Sequence, residues 1–373
     1  MSKKFKQVLA LLGCVLVGAF VVAGCGSDDS SGDSGGSADS GVVADAQTAA
    51  DQAAQIPTEI LQTESYTPKP KGFIYHVACD QSLEGCADKA KSLKSAVEAL
   101  GYKFELCDGG STPDRIAGCF TNAINAKPDV IVTNGIAATD AGDSYTKVAE
   151  SGIPHIGMFT GNPPGKVDGV LTEVGGDSCG AGATDLANWV IADSDGKANV
   201  LFVGTNTFAC NVQRMDAFTK QMETCDTCNV DTLKFSIDSI QSTLPQQIQA
   251  ELQSNPDIDY VVGTFDAVAL AAADVVRQAG KSDSIKVAGF DGDGPNLELI
   301  QQGDIQAADV ATGGLEPGWV AADAAARVIA GQKLEPNTPV TRVLINDSNA
   351  AEIGGSYDGP AGFEDQFKAL WGN

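Results

Sequence analysis

The sequence predicts an α/β protein of two doubly wound, parallel-sheet lobes, and three observations point there. From Lys71 onward, short apolar runs alternate with helix-like segments, and continuous apolar strands separated by helices belong to parallel sheets covered on both faces. The alternation restarts near Asn199, where Ala126-Lys127-Pro128-Asp129-Val130-Ile131-Val132 is echoed by Ser254-Asn255-Pro256-Asp257-Ile258-Asp259-Tyr260-Val261-Val262. The period is about 130 residues, which reads as two similar lobes in tandem. Low aromatic content, 6%, and 42 glycines suit helices packed closely on a sheet.

In the first half, Phe73 to Val77 reads as a strand, Ala87 to Leu100 as a helix stopped by Gly101, and Lys103 to Leu106 as a strand. Thr112 to Ala126 reads as a helix, Asp129 to Thr133 as a strand, Thr139 to Ser151 as a helix and Ile153 to Phe159 as a strand. In the second half, strands are expected over Asn199 to Val203, Val230 to Phe235, Tyr260 to Thr264 and Ile285 to Phe290. Helices are expected over Val212 to Thr224, Ser242 to Ser254 and Asp266 to Ala279. Ligands of such sheets sit beyond the carboxyl ends of the strands, so two facing lobes create a cleft.

Ahead of the lobes lies an apolar run from Val8 to Ala23, opened by Lys3, Lys4 and Lys6 and closed by Val22-Ala23-Gly24-Cys25. It is short for a permanent spanning helix and has the basic front and small-residue end of a secretory leader. Val-Ala-Gly-Cys resembles the lipobox of bacterial lipoproteins, which implies cleavage before Cys25, lipidation of its thiol and anchoring at the extracytoplasmic face of the membrane. The alternative, an uncleaved N-terminal anchor, faces the same compartment. Gly26 to Gly41 is nearly all Gly, Ser and Asp, a composition that buries nothing and acts as a tether. A short helix is possible over Ala44 to Ala54, and Pro57, Pro68 and Pro70 argue for an extended approach to the first strand. The expected organisation is leader 1–24, anchor and tether 25–70, and a folded body from Lys71.

Roughly 300 residues remain for that body, enough for one large or two medium domains. The formal charge of −25 grows more negative once the leader lysines are removed, which excludes nucleic acid as a natural partner. Eight cysteines follow Cys25: Cys79, Cys86, Cys107, Cys119, Cys179, Cys210, Cys225 and Cys228. An even number in an oxidising compartment implies disulfides, and neighbour pairing is the simplest scheme: Cys79 with Cys86, Cys107 with Cys119, Cys179 with Cys210, Cys225 with Cys228. The CxxC at Cys225 is read as structural. With only two histidines, a zinc centre lacks ligands, and neither metal nor cofactor is expected.

The stretch Thr264-Phe265-Asp266-Ala267-Val268-Ala269-Leu270-Ala271-Ala272-Ala273, then Gln278-Ala279-Gly280-Lys281 and Val287-Ala288-Gly289-Phe290-Asp291-Gly292, carries a family resemblance. So do Ile300-Gln301-Gln302-Gly303-Asp304-Ile305-Gln306-Ala307, the helix Gly318 to Gly331, Gly101-Tyr102 and Gly152-Ile153-Pro154. From Lys71 to the C-terminus, the chain resembles periplasmic binding proteins of type I, in the ribose- and galactose-binding branch that serves ABC importers. The resemblance implies a three-strand hinge, with an N-lobe of 71–176 plus 312–345 and a C-lobe of 177–311 plus 346–373. It implies a small-molecule solute as ligand, an ABC permease in the membrane as partner, and a monomer.

Asp291, at the end of a strand, matches the carboxylate that accepts hydrogen bonds from sugar hydroxyls in that family; the alternative is that it only organises the turn Gly289 to Gly294. Elsewhere the family pattern is departed from. Met158-Phe159-Thr160 stands where sugar binders carry an Asp-Arg pair, Phe265 stands where ribose binders present an amide, and the stacking aromatics of the first loop are absent. The expected ligand therefore has a flat apolar face held by Phe159, Phe208 and Phe265, with Gln81, Thr160, Asn211 and Asp291 fixing polar groups. Each phenylalanine has plain core as its alternative.

Two serine motifs suggest an enzyme and are set aside. Gly32-Asp33-Ser34-Gly35-Gly36 lies in the tether. Gly176-Asp177-Ser178-Cys179-Gly180 spells a nucleophile elbow, but His76 and His155 both precede the serine, against the hydrolase order. No Gly-rich loop ending in Lys-Ser or Lys-Thr appears, and the export leader excludes a DNA-binding repressor of the same fold. No catalytic residue is assigned. Sensing for a membrane receptor remains the alternative to import.

Overall fold

The computed structural model describes residues 40–372. The expected leader, the Cys25 anchor and most of the Gly/Ser/Asp tether fall outside these residues. The chain opens with α1 (Ser40–Ala53), then β1 (Phe73–Ala78), α2 (Glu84–Ala99), β2 (Lys103–Asp108), α3 (Pro113–Ala126), β3 (Val130–Asn134), α4 (Ser144–Ser151), β4 (His155–Met158) and β5 (Val170–Val174). It continues with α5 (Ser178–Asp193), β6 (Asn199–Gly204), α6 (Ala209–Met222), β7 (Asn229–Lys234), α7 (Leu244–Ser254), β8 (Tyr260–Gly263), α8 (Asp266–Gln278), β9 (Lys286–Asp291), α9 (Gly294–Gln301) and β10 (Gln306–Ala311). It ends with α10 (Glu316–Ala330), β11 (Asn337–Thr338), β12 (Val343–Asn346), α11 (Ala350–Ile353) and α12 (Phe363–Leu370).

Two six-stranded sheets result, ordered β11-β5-β4-β3-β1-β2 and β12-β10-β9-β8-β6-β7. Every pairing is parallel except β10 with β12. Central strands such as β3 and β8 are buried along their whole length, as the continuous apolar runs require of a sheet covered on both faces. Helix limits follow local chemistry: α3 and α10 carry Pro in the first turn, and α4 and α10 stop at Gly152 and Gly331 in the left-handed region, the places where missing N–H groups and missing Cβ atoms do least harm. Gly318 lets α10 lie against α2, since a Cβ there would come within 2.4 Å of the Leu93 nitrogen.

The chain passes between the sheets after β5, after β10 and between β11 and β12. Two boundaries expected from the sequence shift. First, Val343–Asn346 joins the second sheet rather than the first, so the third crossing falls between 338 and 343. Second, α12 returns to the first lobe instead of ending in the second. Trp371 stacks on Trp319 of α10 with ring centres 5.5 Å apart and planes 6° from parallel, because this apolar end fills the space beside the Ala-rich helix.

The larger correction concerns residues 40–70, which belong to the folded body and are not tether. Ala46 and Ala50 of α1 are buried with Ala183, Leu186 and Val190 of α5 in the second lobe. The following segment then runs to the first lobe. Asn349 Nδ2 donates to the Ala54 carbonyl at 2.8 Å, Ile60 N–H donates to Gln366 Oε1 at 3.0 Å, and Tyr66 N–H donates to the Leu370 carbonyl at 2.9 Å. Arg327 donates to the Glu64 carbonyl and lies 4.3 Å from the Tyr66 ring centre.

Sulfur bridges join Cys79 to Cys86, Cys107 to Cys119, Cys179 to Cys210 and Cys225 to Cys228. Among the described residues no helix is long and apolar enough to cross a membrane.

Candidate ligand-binding site

At the carboxyl ends of the strands, where loops carry side chains off a rigid sheet, a cavity of about 900 Å³ opens between the lobes. The first lobe contributes Cys79, Lys89, Asn134 and Phe159. The second contributes Phe208, Asn211, Arg214, Phe265, Asp291 and Asp293.

Backbone geometry marks the same residues. Only six non-glycine described residues have positive φ, and Phe159 (49°), Phe208 (67°) and Asp291 (114°) are three of them. Each such residue costs about 1–3 kcal/mol and persists where the surroundings enforce it, as at ligand sites. Phe159 turns straight out of β4 and lies against Gly175, where a Cβ would fall 2.5 Å from its Cε1. Phe208 immediately precedes α6 and Phe265 immediately precedes α8, so both rings sit where a strand has just ended.

The polar floor is built around Arg214. Its Nη2 donates to Asp291 Oδ1 at 2.7 Å, its Nη1 donates to the Thr264 carbonyl at 2.8 Å, and its guanidinium lies 4.8 Å from the Phe290 ring centre. Behind it, Asp266 and Asp309 face each other across Gly289, where a Cβ would lie 2.5 Å and 2.9 Å from their oxygens. Asp293 N–H donates to Asp266 Oδ2 at 2.6 Å, and Gln306 Nε2 donates to Asp309 Oδ2 at 3.0 Å. Burial, reinforced by neighbouring carboxylates, pushes Asp266 well up, Asp309 up to about 6 and Asp293 up to about 8. Carboxyl groups crowded this way cannot all ionise, and protons are shared among them.

Of the residues read from the sequence, Phe159, Phe208, Asn211, Phe265 and Asp291 line this cavity. Thr160 and Gln81 are outside its wall. The Thr160 hydroxyl is fully buried and donates to Glu173 Oε2 at 2.7 Å. Gln81 turns into its own loop, its N–H donating to Asp108 Oδ1 at 3.0 Å and its Nε2 to the Cys86 carbonyl at 3.3 Å.

Contributors that escaped the sequence reading include Arg214, Lys89, Asn134, Asp293 and the wall formed by 236–241. A helical step of three leads from Phe208 through Asn211 to Arg214, one face of α6, and that spacing was the signal. His76 and His155 serve the core: His76 Nδ1 pairs with the Val132 carbonyl at 3.0 Å and His155 Nε2 with Thr133 Oγ1 at 2.6 Å. Burial pushes them down to about 4 and about 3. Ser178 is buried at the start of α5, next to the disulfide-bonded Cys179. Among the described residues no group of three or more His, Cys, Asp or Glu is placed to hold a metal ion.

A family described as "Periplasmic binding protein domain" matches residues 87–333. No curated protein matches. Among solved structures, the chain is similar to an ABC transporter solute binding protein from Agrobacterium vitis with bound allitol: TM-score 0.69, 22% identity, covering 76% of this chain and 98% of that one. It is also similar to one from Bacillus halodurans with bound myo-inositol, at TM-score 0.67 and 22% identity over 78% of this chain and 100% of that one. A 5-methylthioribose transporter solute binding protein from Thermotoga lettingae gives TM-score 0.70 and 20% identity over 84% and 96%.

Proposed function

We propose that this chain, which belongs to the periplasmic binding protein domain family, captures one small molecule in its interlobe cleft and delivers it to an ABC-type permease. The observation that carries the reading is a cavity walled from both lobes, with the Arg214–Asp291 pair on one side and Phe159 and Phe265 on others. Hydroxyl groups are held by such a charged pair through directional hydrogen bonds, and rings offer a dry face to the apolar side of a sugar or to a flat substituent. The similar structures carry allitol, myo-inositol and 5-methylthioribose, which supports a ligand of sugar or polyol type.

In this reading the lobes close about the three connections, and the closed form is what a permease recognises. Cys25 anchors a monomer to the outer face of the cell membrane by lipid, since Val22-Ala23-Gly24-Cys25 ends a leader-like run.

The test is mass spectrometry of the small molecule that co-purifies, backed by calorimetry with sugars, polyols, nucleosides and aromatic compounds. One ligand bound per chain, with a radius of gyration that contracts on binding, is expected. Absence of binding across all these classes would overturn capture, and a ligand that leaves the scattering profile unchanged would overturn closure.

A further inference from the structure

Lys89 is an unusual residue to find in this wall. It lies on α2, is only 8% exposed, and lines the cavity with its Nζ 5.3 Å from the centre of the Phe159 ring. Among the described residues it makes no ion pair within 4.0 Å. A buried ammonium is stable only when paired or richly hydrogen-bonded, and a ring face compensates it in part.

The charges around it do not supply a full counter-ion. Asp291 Oδ1 is engaged by Arg214. Asp293 is pushed up to about 8 by burial, Asp291 and Glu84, with the Lys89 charge pulling it the other way, so it is only a partial partner for the amine. Glu84, on the first turn of the same helix, and Asp238, across the cavity, are exposed at the rim, where solvent screens them. Beside Lys89, Gly85 keeps a gap open: a Cβ there would lie 4.0 Å from Lys89 Nζ and 3.7 Å from Asp291 Oδ2. An amine from one lobe and a carboxylate oxygen from the other thus flank one space.

From this geometry we infer that the ligand carries an anionic group, a carboxylate or phosphate on a sugar-like body, with Lys89 as its counter-ion and Asp291 taking a neighbouring hydroxyl. The inference rests on the capture reading above and narrows it. A neutral sugar could accept hydrogen bonds from the amine but would leave its charge uncompensated, a task for which Asn or Gln would serve better. A cationic ligand would be repelled at the same spot.

The experiment compares matched pairs on the full mature chain stripped of bound ligand: glucose with gluconate and glucuronate, galactose with galacturonate, ribose with ribose 5-phosphate. Calorimetry is run on the wild type, Lys89→Gln and Lys89→Arg at low and high salt. One acidic member is expected to bind at least about tenfold tighter than its neutral partner, and the phosphate arm separates phosphate from carboxylate recognition. That preference should disappear in Lys89→Gln, persist in Lys89→Arg and shrink with salt. A neutral member that binds as tightly as its acid, or a preference that survives Lys89→Gln, overturns the anionic ligand and leaves capture standing. Failure of every pair, neutral and acidic alike, overturns the anionic sugar ligand, while capture itself is decided by the wider ligand screen above.

Discussion

Arg214 reaches from α6 to Asp291 at the end of β9, Nη2 to Oδ1 at 2.7 Å, and the two side chains are only 7% and 20% exposed. The bond ties a helix to a strand terminus in the second lobe and fixes the direction of a carboxylate whose backbone already sits at φ 114°. With one oxygen engaged, Asp291 still presents Oδ2 toward Gly85 of the opposite lobe.

Removing either partner therefore weakens capture. A charge-assisted hydrogen bond contributes about 1.5–3 kcal/mol, so Asp291→Ala should lower affinity roughly ten- to a hundredfold. Arg214→Ala should lower it similarly, because Asp291 loses its orientation. The double variant should lose less than the sum of the two, since the residues act as a unit. Calorimetry on all three with the identified ligand checks this, and wild-type affinity in Asp291→Ala would remove the residue from the site.

The Phe159 wall depends on a glycine. Phe159→Ala and Phe265→Ala should reduce affinity most for ligands with a flat apolar face, while the free protein still unfolds cooperatively. Gly175→Ala should reproduce the Phe159→Ala defect with the ring still present. The new methyl would fall 2.5 Å from Phe159 Cε1, at a position whose φ is +67°, so the ring must leave its place. Equal affinity for wild type and Gly175→Ala would mean that the ring's placement does not matter.

Strand and helix periodicity made most of the two sheets legible, because buried parallel strands leave apolar runs such as Val130-Ile131-Val132 in β3. In the segment 40–70 the helix itself was legible, read over Ala44 to Ala54 and found over Ser40–Ala53, but its docking on the folded body was not. The helix fully buries only Ala46 and Ala50 against α5, with Val42 and Val43 beside them, and beyond it Ile56, Ile60 and Tyr66 pack on the lobes one at a time, at spacings that form no strand or helix period. Strands β5 and β10 were missed because buried Thr172, Glu173, Gln306 and Asp309 interrupt their apolar runs, and β11 because it has two residues; β12 was missed as well. In the cleft, Asp291 was found through the family resemblance, which implies a carboxylate at the end of that strand. Lys89 could not be found, since on a helix a buried lysine has the same spacing as an exposed one.

Anchoring is tested apart from binding. Cys25→Ser should release the protein from membranes or stop leader processing, because the lipid acceptor thiol is gone. A correctly cleaved product that still fractionates with membranes would refute lipidation at Cys25.

Two of the disulfides touch the cavity, through Cys79, Cys86 and Cys210. The Cys79–Cys86 bridge closes the loop that leads into α2, and so fixes the approach to Lys89. Replacing both with serine should lower affinity about five- to tenfold, a loss of roughly 1 kcal/mol or a little more. The same change at Cys225 and Cys228, which do not line the cavity, should leave affinity unchanged and affect stability alone. Ligand titrations on the two double variants separate these outcomes, and equal losses in both would show that the first loop has no special part in the site.

Stability should fall as the pH rises from 5 to 8, because the raised buried carboxyls Glu173, Glu316, Asp266, Asp293 and Asp309 outnumber buried His76 and His155, whose lowered values favour folding as the pH rises toward 6.5. Glu173 is buried beneath the Phe159 loop, where Thr160 and Asn162 donate to it at 2.7 Å and 3.0 Å. Glu316 is buried at the start of α10, with Thr341 N–H and hydroxyl donating to it. Burial outweighs these donors and pushes both carboxyls from 4.5 up to about 7. A folded-state value above the unfolded one means that the folded protein holds protons which the unfolded chain releases. The resulting stabilisation is complete below about 4.5 and is lost as pH rises through about 7, at no more than about 1.4 kcal/mol per pH unit for each group. The large negative charge of −25 acts in the same direction, because repulsion grows as carboxyls ionise. Glu173→Gln isolates the buried group. It keeps one oxygen to accept from Asn162 and places an amide NH2 against the Thr160 hydroxyl, which can turn to accept from it; it cannot ionise, and should flatten the melting temperature between pH 5 and 8 relative to wild type. A wild-type melting temperature that climbs over this interval, or a Glu173→Gln profile parallel to it, would show that Glu173 titrates near its ordinary value.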